Sequence, residues 1–189
     1  MPVKFDPRNK ETLLSPERRK SLDMYRMLSL IPILPHHVIA DIGCGPGFFT
    51  VPLAKYLWDG KIYAVDIKQE MLDAAKEGVD RERLSNVEYV KSTERRLPIK
   101  KGILDGAVAA FVIQEAAGRE SLLKEIHRCM RTPGWTVILE WHRKKSKEGP
   151  PLKQRIADTD MMNLLEKTGF RVASKHDLNS QHYMIVARA

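Results

Sequence analysis

Three glycines at alternate positions, in Asp41-Ile42-Gly43-Cys44-Gly45-Pro46-Gly47, follow the apolar run 38–42 and precede a helical pattern. A strand that ends on such a loop and continues as a helix points to one kind of architecture, an open α/β sheet whose ligands sit at strand ends. Glycine there permits dihedrals that a Cβ opposes and lets a ligand approach the backbone. A dinucleotide fingerprint would read G-x-G-x-x-G. Counted from Gly43 and Gly45, its third glycine falls on Phe48. The spacing G-x-G-x-G, with an acid two residues before the first glycine, suits a nucleoside with an amino-acid tail better than a pyrophosphate. Asp66 stands 19 residues beyond Gly47, at the end of the next β-like run. A carboxylate there can accept hydrogen bonds from both hydroxyls of a ribose.

The rest of the chain carries the same alternation. Strands are expected at 38–42, 62–67, 87–91, 105–113, 135–141, 170–175 and 182–187. Helices are expected at 49–58, with Pro52 in its first turn, and at 69–77 with Gly78 as C-cap. Leu122, Leu123, Ile126 and Met130 recur at helical spacing before Pro133-Gly134 ends that helix. A further helix around Met161 and Leu165 stops at Gly169. Residues 105–113 are apolar on both faces, as a central parallel strand requires. The last two strands have no helix between them, only Asn179-Ser180, and should form an antiparallel edge hairpin. The expected fold is a Rossmann-like open sheet of about seven strands, mostly parallel, with helices on both faces. Its 189 residues suit one domain, with 1–34 a helical cap and 35–189 the core. Ser15-Pro16-Glu17 starts the cap helix, and Leu22, Met24, Tyr25, Met27, Leu28 and Leu30 read as its packing face.

Composition narrows the setting. Two cysteines imply no disulfide framework and fit a reducing compartment. The longest apolar run, 107–113, is too short to span a bilayer, and MPVKFDPRNK lacks the apolar core of a signal peptide. A soluble cytoplasmic protein without membrane insertion is expected. The net charge of +8 permits an anionic small molecule or a nucleic acid but establishes neither.

The stretches VIADIGCGPGFFTVPLA and KIYAVDIKQEMLDAA resemble the first two motifs of class I S-adenosylmethionine-dependent methyltransferases. LLKEIHRCMRTPGWTVILEW resembles their helix-Pro-Gly-strand segment, and the small ubiquinone/menaquinone C-methyltransferase-like branch is the nearest. The resemblance covers 38–189 and implies a seven-stranded sheet with the last strand inserted antiparallel. It implies S-adenosylmethionine as cofactor and S-adenosylhomocysteine as product. By position, Asp41, Gly43, Gly45 and Gly47 would hold the methionine end, Asp66 the ribose, and Ile67 would lie against the adenine. The acid that often meets the adenine amine falls on Thr93, with Glu94 beside it, so either residue or the backbone could supply that contact.

Methyl transfer from a sulfonium is an in-line displacement that needs alignment and sometimes a base. Strand four ends in Gln114-Glu115, facing the transferred methyl by the resemblance. Gln114 is assigned to the cofactor, and Glu115 is a candidate base or a solvated loop carboxylate. Strand five ends in Glu140-Trp141-His142-Arg143, where His142 is a second candidate base or an exposed loop histidine, and Trp141 could wall an acceptor pocket. Arg18 and Tyr25 belong to a segment that can cover cofactor and acceptor in related enzymes. His36, His37, His127, His176 and His182 read as structural or uninformative, and Cys44 as a loop filler. No metal-ligand spacing occurs. The basic run Arg143-Lys144-Lys145-Ser146-Lys147 could attract an anion, though such runs are more often solvated loops. Gln114-Glu115-Ala116-Ala117 replaces the Asn/Asp-Pro-Pro-aromatic motif of exocyclic-amine enzymes, and acceptor-loop cysteines are missing. A small-molecule acceptor is therefore favoured. RNA or other nucleic-acid methylation, or cofactor binding without turnover, are the alternatives, and a homodimer could complete the pocket.

Overall fold

Seven apolar runs pair into one sheet, seen in a computed structural model that describes residues 7–146 and 148–189. They are β1 (Val38–Ile42), β2 (Lys61–Asp66), β3 (Val87–Lys91), β4 (Leu104–Ala110), β5 (Met130–Trp141), β6 (Arg171–Asp177) and β7 (His182–Arg188). Their order is β3-β2-β1-β4-β5-β7-β6. The pairs β1/β2, β2/β3, β1/β4 and β4/β5 are parallel. β7 runs antiparallel to both β5 and β6. The expected hairpin is present, but only β7 is reversed, and β6 points the same way as β1 to β5. The chain leaves β1 toward one edge and returns through β4 on the other side. The loops after β1 and β4 therefore diverge at their carboxyl ends and open a crevice.

Alternation of side chains along each strand feeds two cores. Ile39, Val108, Val137 and Met184 meet Met27, Leu53 and Leu57. These come from α2 (Met24–Leu30) and the end of α3 (Thr50–Tyr56), with α4 (Gln69–Arg81) beside α3. Ala40, Ala107, Ile138 and Ile185 meet Leu123, Ile126, Met161 and Leu165 on the other face. Those belong to α5 (Arg119–Cys129) and α6 (Asp158–Lys167). β4 is buried on both faces until Ala110, as its composition predicts.

Several boundaries differ from the sequence reading, each for a local reason. Gly78 does not cap α4, because Val79 is buried one position on and rewards a further turn. The left-handed residue comes later, at Arg83 (φ 55°). β4 stops at Ala110 instead of continuing to Ile113, because Phe111 takes φ 62° and residues Ile113–Glu115 coil into a 3-10 turn. Pro133-Gly134 does not end α5, which stops at Cys129. Both residues lie in β5, inside a register slip between the pairs Leu104–Met130 and Gly106–Trp135. A proline without an N–H fits such an irregularity better than a regular ladder. The single cap helix is two, α1 (Pro16–Ser21) and α2. Ser15 accepts from the Arg18 N–H at 3.2 Å to start the first, and Asp23 accepts from the Arg26 N–H at 3.1 Å to start the second. Leu22 and Met27 pack as expected, whereas Tyr25 is 87% exposed and packs on nothing in the core. Pro52 does sit in the first turn of α3.

Candidate functional site

The loop after β1 stays narrow because its three glycines take φ of 70°, 54° and 88°, at Gly43, Gly45 and Gly47. A Cβ on Gly43 would lie 2.7 Å from Val112 Cγ2, so the loop after β4 packs directly on it. The Gly43 and Cys44 N–H groups donate to the Val65 carbonyl at 2.8 and 3.0 Å. The Gly45 N–H donates to Asp66 Oδ2 at 3.0 Å, and the Lys68 N–H to Asp66 Oδ1 at 2.9 Å. The two strongest sequence signals are thus joined by a hydrogen bond. The Ile67 amide also lies against the carboxylate, whose two oxygens still keep lone-pair capacity for a further donor. Burial raises the Asp66 pKa, and the Lys68 and Gly45 amides hold it back.

Asp41 lies beneath the loop, 1% exposed, with its Oδ2 accepting from the Thr50 hydroxyl at 2.6 Å. Burial pushes its pKa to about 7 against that bond. Cys44 is packed with Ala64, Leu72 and Ala75, its thiol pushed well up by burial, which fits an inert filler. Ile67 is half-buried beside Asp66, and its carbonyl accepts from Lys91 Nζ. Thr93 is exposed and spends its hydroxyl on its own turn, accepting from the Arg96 N–H at 3.1 Å. Glu94 is exposed next to it.

Beyond β4 the turn at Phe111 lays Val112 on Gly43 and carries Gln114 inward to 2% exposure. The Gln114 N–H donates to Glu140 Oε1 at 3.0 Å. Gln114 Oε1 and Glu140 Oε2 are both buried without a hydrogen-bond partner. Burial raises Glu140 to about 8, held back by the Gln114 amide and helped by the nearby charge of Glu115, so it is mainly protonated at pH 7. Glu115 itself is half-buried in the 3-10 turn. In the sequence the one signal of Glu140 is that it is a lone acid inside the run Val137–Trp141, and only the folded sheet gives it a role.

His142 follows β5, so β4 stands between its strand and the one that carries the glycine loop. Its Nε2 lies 3.2 Å from Asp177 Oδ1, which would favour a charged ring, yet burial outweighs Asp177 and lowers its pKa. With Asp177 mostly exposed, the contact is best read as a neutral imidazole hydrogen-bonded to a solvated carboxylate. Of the basic run, Arg143, Lys144 and Lys145 are exposed, and Lys147 lies outside the described residues. Arg155, also unnoticed in the sequence, organises this loop. Its guanidinium donates to the carbonyls of His142, Lys144, Glu148 and Pro150 and to Ser146 Oγ, at 2.6 to 3.3 Å.

Residues 13–26 cross the crevice. Leu13 Cδ1 is 3.6 Å from where a Gly45 Cβ would stand. The Arg18 guanidinium carbon lies 5.2 Å from the Phe48 ring centre and 4.9 Å from that of Phe111. At the far side Arg26 Nη1 donates to the Leu178 carbonyl at 2.6 Å, and Asn179 Nδ2 to the Ser21 carbonyl at 2.6 Å. Under this span the antiparallel register sets Trp141 opposite His182, their ring centres 4.2 Å apart. His182 is 2% exposed, not an uninformative hairpin residue, and it also contacts Phe111 at 5.2 Å. No periodicity could have placed it, because its neighbour is set by the insertion of β7 between β5 and β6. Among the described residues no group of three or more His, Cys, Asp or Glu could hold a metal ion.

A family model described as a methyltransferase domain matches residues 40–138, just over half of the chain. A demethylmenaquinone methyltransferase of Lactococcus lactis subsp. lactis is 29% identical over 103 residues, covering 54% of this chain and 41% of that protein. A ubiquinone/menaquinone biosynthesis C-methyltransferase of Hydrogenovibrio crunogenus is 26% identical over 148 residues, covering 77% and 57%. The chain thus spans about half the length of these relatives. The crystal structure of a SAM-dependent methyltransferase from Aquifex aeolicus superposes with a TM-score of 0.93 at 28% identity, covering 98% of this chain and 99% of that one.

Proposed function

The chain belongs to the methyltransferase domain family, and we propose that it transfers a methyl group from S-adenosylmethionine to a small-molecule acceptor, with S-adenosylhomocysteine as product. The observation that carries this reading is the Asp66 carboxylate, bonded to the glycine loop through Gly45 and still able to accept from hydroxyl donors. The residues present fit such a cofactor. The glycine loop turns on three left-handed residues whose backbone a Cβ would oppose, and the buried acceptor Gln114 Oε1 stands without a donor at the adjoining strand end. Gly43, Gly45, Gly47 and Gln114 would hold the methionine end, Asp66 the ribose and Ile67 the base. Thr93 is closed into its own turn, so Glu94 or the backbone would serve the adenine edge. When bound, the cofactor supplies a methyl group activated by a sulfonium charge.

The chain's own part is to align and to exclude water. Asp41 reads as support for the loop from below, through Thr50 and β1. Glu115, beside the cradle, is the better candidate for orienting or deprotonating the acceptor. His142 is the weaker one, since its ring is engaged with Asp177. A small acceptor is supported by the names of the relatives, which act on demethylmenaquinone or serve ubiquinone and menaquinone biosynthesis. A cytoplasmic location is supported by two free, buried cysteines, as expected in a reducing compartment. Among the described residues no helix is long and apolar enough to cross a membrane.

Calorimetric titration with S-adenosylhomocysteine tests the reading. Micromolar binding is expected, and Asp66→Ala should weaken it by at least about tenfold, since hydrogen bonds to a charged group contribute about 1.5–3 kcal/mol each. No binding by the wild-type protein would remove the proposal.

A further inference from the structure

The span over the crevice brings a half-buried cation to a place where no carboxylate pairs with it among the described residues. The Arg18 Nε is buried without a hydrogen-bond partner, and no ion pair joins its guanidinium to a carboxylate among the described residues. Its surroundings are the Phe48 and Phe111 rings. Next to Phe111 lies His182, both of whose ring nitrogens are buried and unpartnered. The charged and titratable groups acting on His182 are Arg18, Arg155 and His142, all basic. Arg155 differs from Arg18 because five oxygen acceptors already surround it. A guanidinium Nε–H and an imidazole N–H taken out of water without acceptors are costly, and such groups are ordinarily paired. Flat aromatic walls beside them leave one kind of ligand that satisfies every group: a planar π-system carrying an acidic oxygen.

We propose that Arg18 and His182, walled by Phe48, Phe111 and Trp141, form the binding site for a planar organic anion, which is the acceptor of this enzyme. The word acceptor rests on the proposed function, whereas the anion site stands on the side chains themselves. Arg18 supplies the charge-assisted donor and His182 a neutral N–H, and Phe48 and Phe111 sandwich the guanidinium so that its fork keeps one orientation. Val112, the neighbour of Phe111, lies against Gly43 and puts this site next to the glycine loop, where an acceptor has to lie. A neutral planar ligand would cover this half-buried charge without compensating it and is disfavoured for that reason.

The test uses the whole protein and simple probes. Benzoate and 2-naphthoate are titrated by calorimetry, each beside its neutral amide, with and without saturating S-adenosylhomocysteine. The acids should bind at least about tenfold more tightly than the amides. Arg18→Gln should bring that preference to within about twofold, and Arg18→Lys should restore part of it, because lysine keeps the charge without the planar fork. A wild-type protein with no preference for the acids, or an Arg18→Gln protein that keeps it, would overturn the anion site. Acid binding that depends on Arg18 without any binding of S-adenosylhomocysteine would keep the site and remove the methyl-transfer reading instead.

Discussion

Two glycines with nearly the same backbone show how a single residue is constrained by what it touches. Gly43 has φ 70° and a Val112 methyl at 2.7 Å from its missing Cβ, whereas Gly102 has φ 71° and open space. Alanine at either position adopts an unfavourable left-handed conformation, at a cost of about 1–2 kcal/mol. Gly102→Ala should therefore lower the thermal midpoint by a few degrees, at about 2–4 °C per kcal/mol for a domain of this size. Gly43→Ala should lower it further and also weaken S-adenosylhomocysteine binding, because Val112 must move. Equal losses of stability in the two variants would show that the Val112 contact is soft. The buried acids make a second prediction. Glu140 and Asp41 carry folded pKa values of about 8 and about 7, above their ordinary 4.5 and 3.8. Between the ordinary and folded values the folded state holds more protons, so their contribution falls as pH rises. His182, lowered from 6.5 to about 4, acts in the opposite sense, and only between those two values. Above pH 6.5 the fall alone remains. The thermal midpoint should drop between pH 6.5 and 8.5, and Glu140→Gln, which stays neutral, should flatten most of that drop.

At the scale of elements, the loop between β5 and α6 is held by one side chain. Arg155 ties His142, Lys144, Ser146, Glu148 and Pro150 to itself, and Gly149 lets the loop close on the Trp141 ring, which a Cβ would meet at 2.8 Å. Arg155→Met should free the loop while leaving the sheet intact. Trypsin cleavage at Arg143, Lys144 or Lys145 should then accelerate at least about tenfold, since losing even one charge-assisted hydrogen bond of about 1.5 kcal/mol raises the open population by that factor. Unchanged cleavage would mean that the loop is held by packing instead. The loop also shows where sequence reading stops. The strands, the glycine loop and Asp66 were legible because periodicity and spacing are local properties of the chain. The ends of α4, β4 and α5 were not, because Val79, Phe111 and the slip around Pro133 answer to neighbours distant in sequence. The same holds for His182 and Arg155, whose partners Trp141 and the 142–150 loop come together only in the folded sheet. Arg18 could be placed on a covering helix from its position, but its contacts with Phe48 and Phe111 join residues distant in sequence.

The whole molecule divides into two halves that meet at the switch point. One half, β1 to β3 with α3 and α4, carries the glycine loop and Asp66. The other, β4 to β7 with α5 and α6, carries Gln114, Glu140, Trp141 and His182. The helices α1 and α2 run from the first half to the turn between β6 and β7, where Arg26 and Asn179 hold them. Arg26→Ala combined with Asn179→Ala should leave the sheet's unfolding cooperative but raise amide exchange in residues 13–30, which hydrogen-exchange mass spectrometry would detect. Protection equal to wild type would show that Leu22 and Met27 suffice to hold the span. The reversed strand β7 has a consequence for synthesis as well. A ribosome releases the glycine-loop half first, and that half can pair its three parallel strands while the rest is still being made. The aromatic wall at His182 cannot exist until β7 has emerged and slipped between β5 and β6. A nascent chain thus acquires the cradle before the pocket, and during that interval the edge of β5 is the surface most in need of a chaperone.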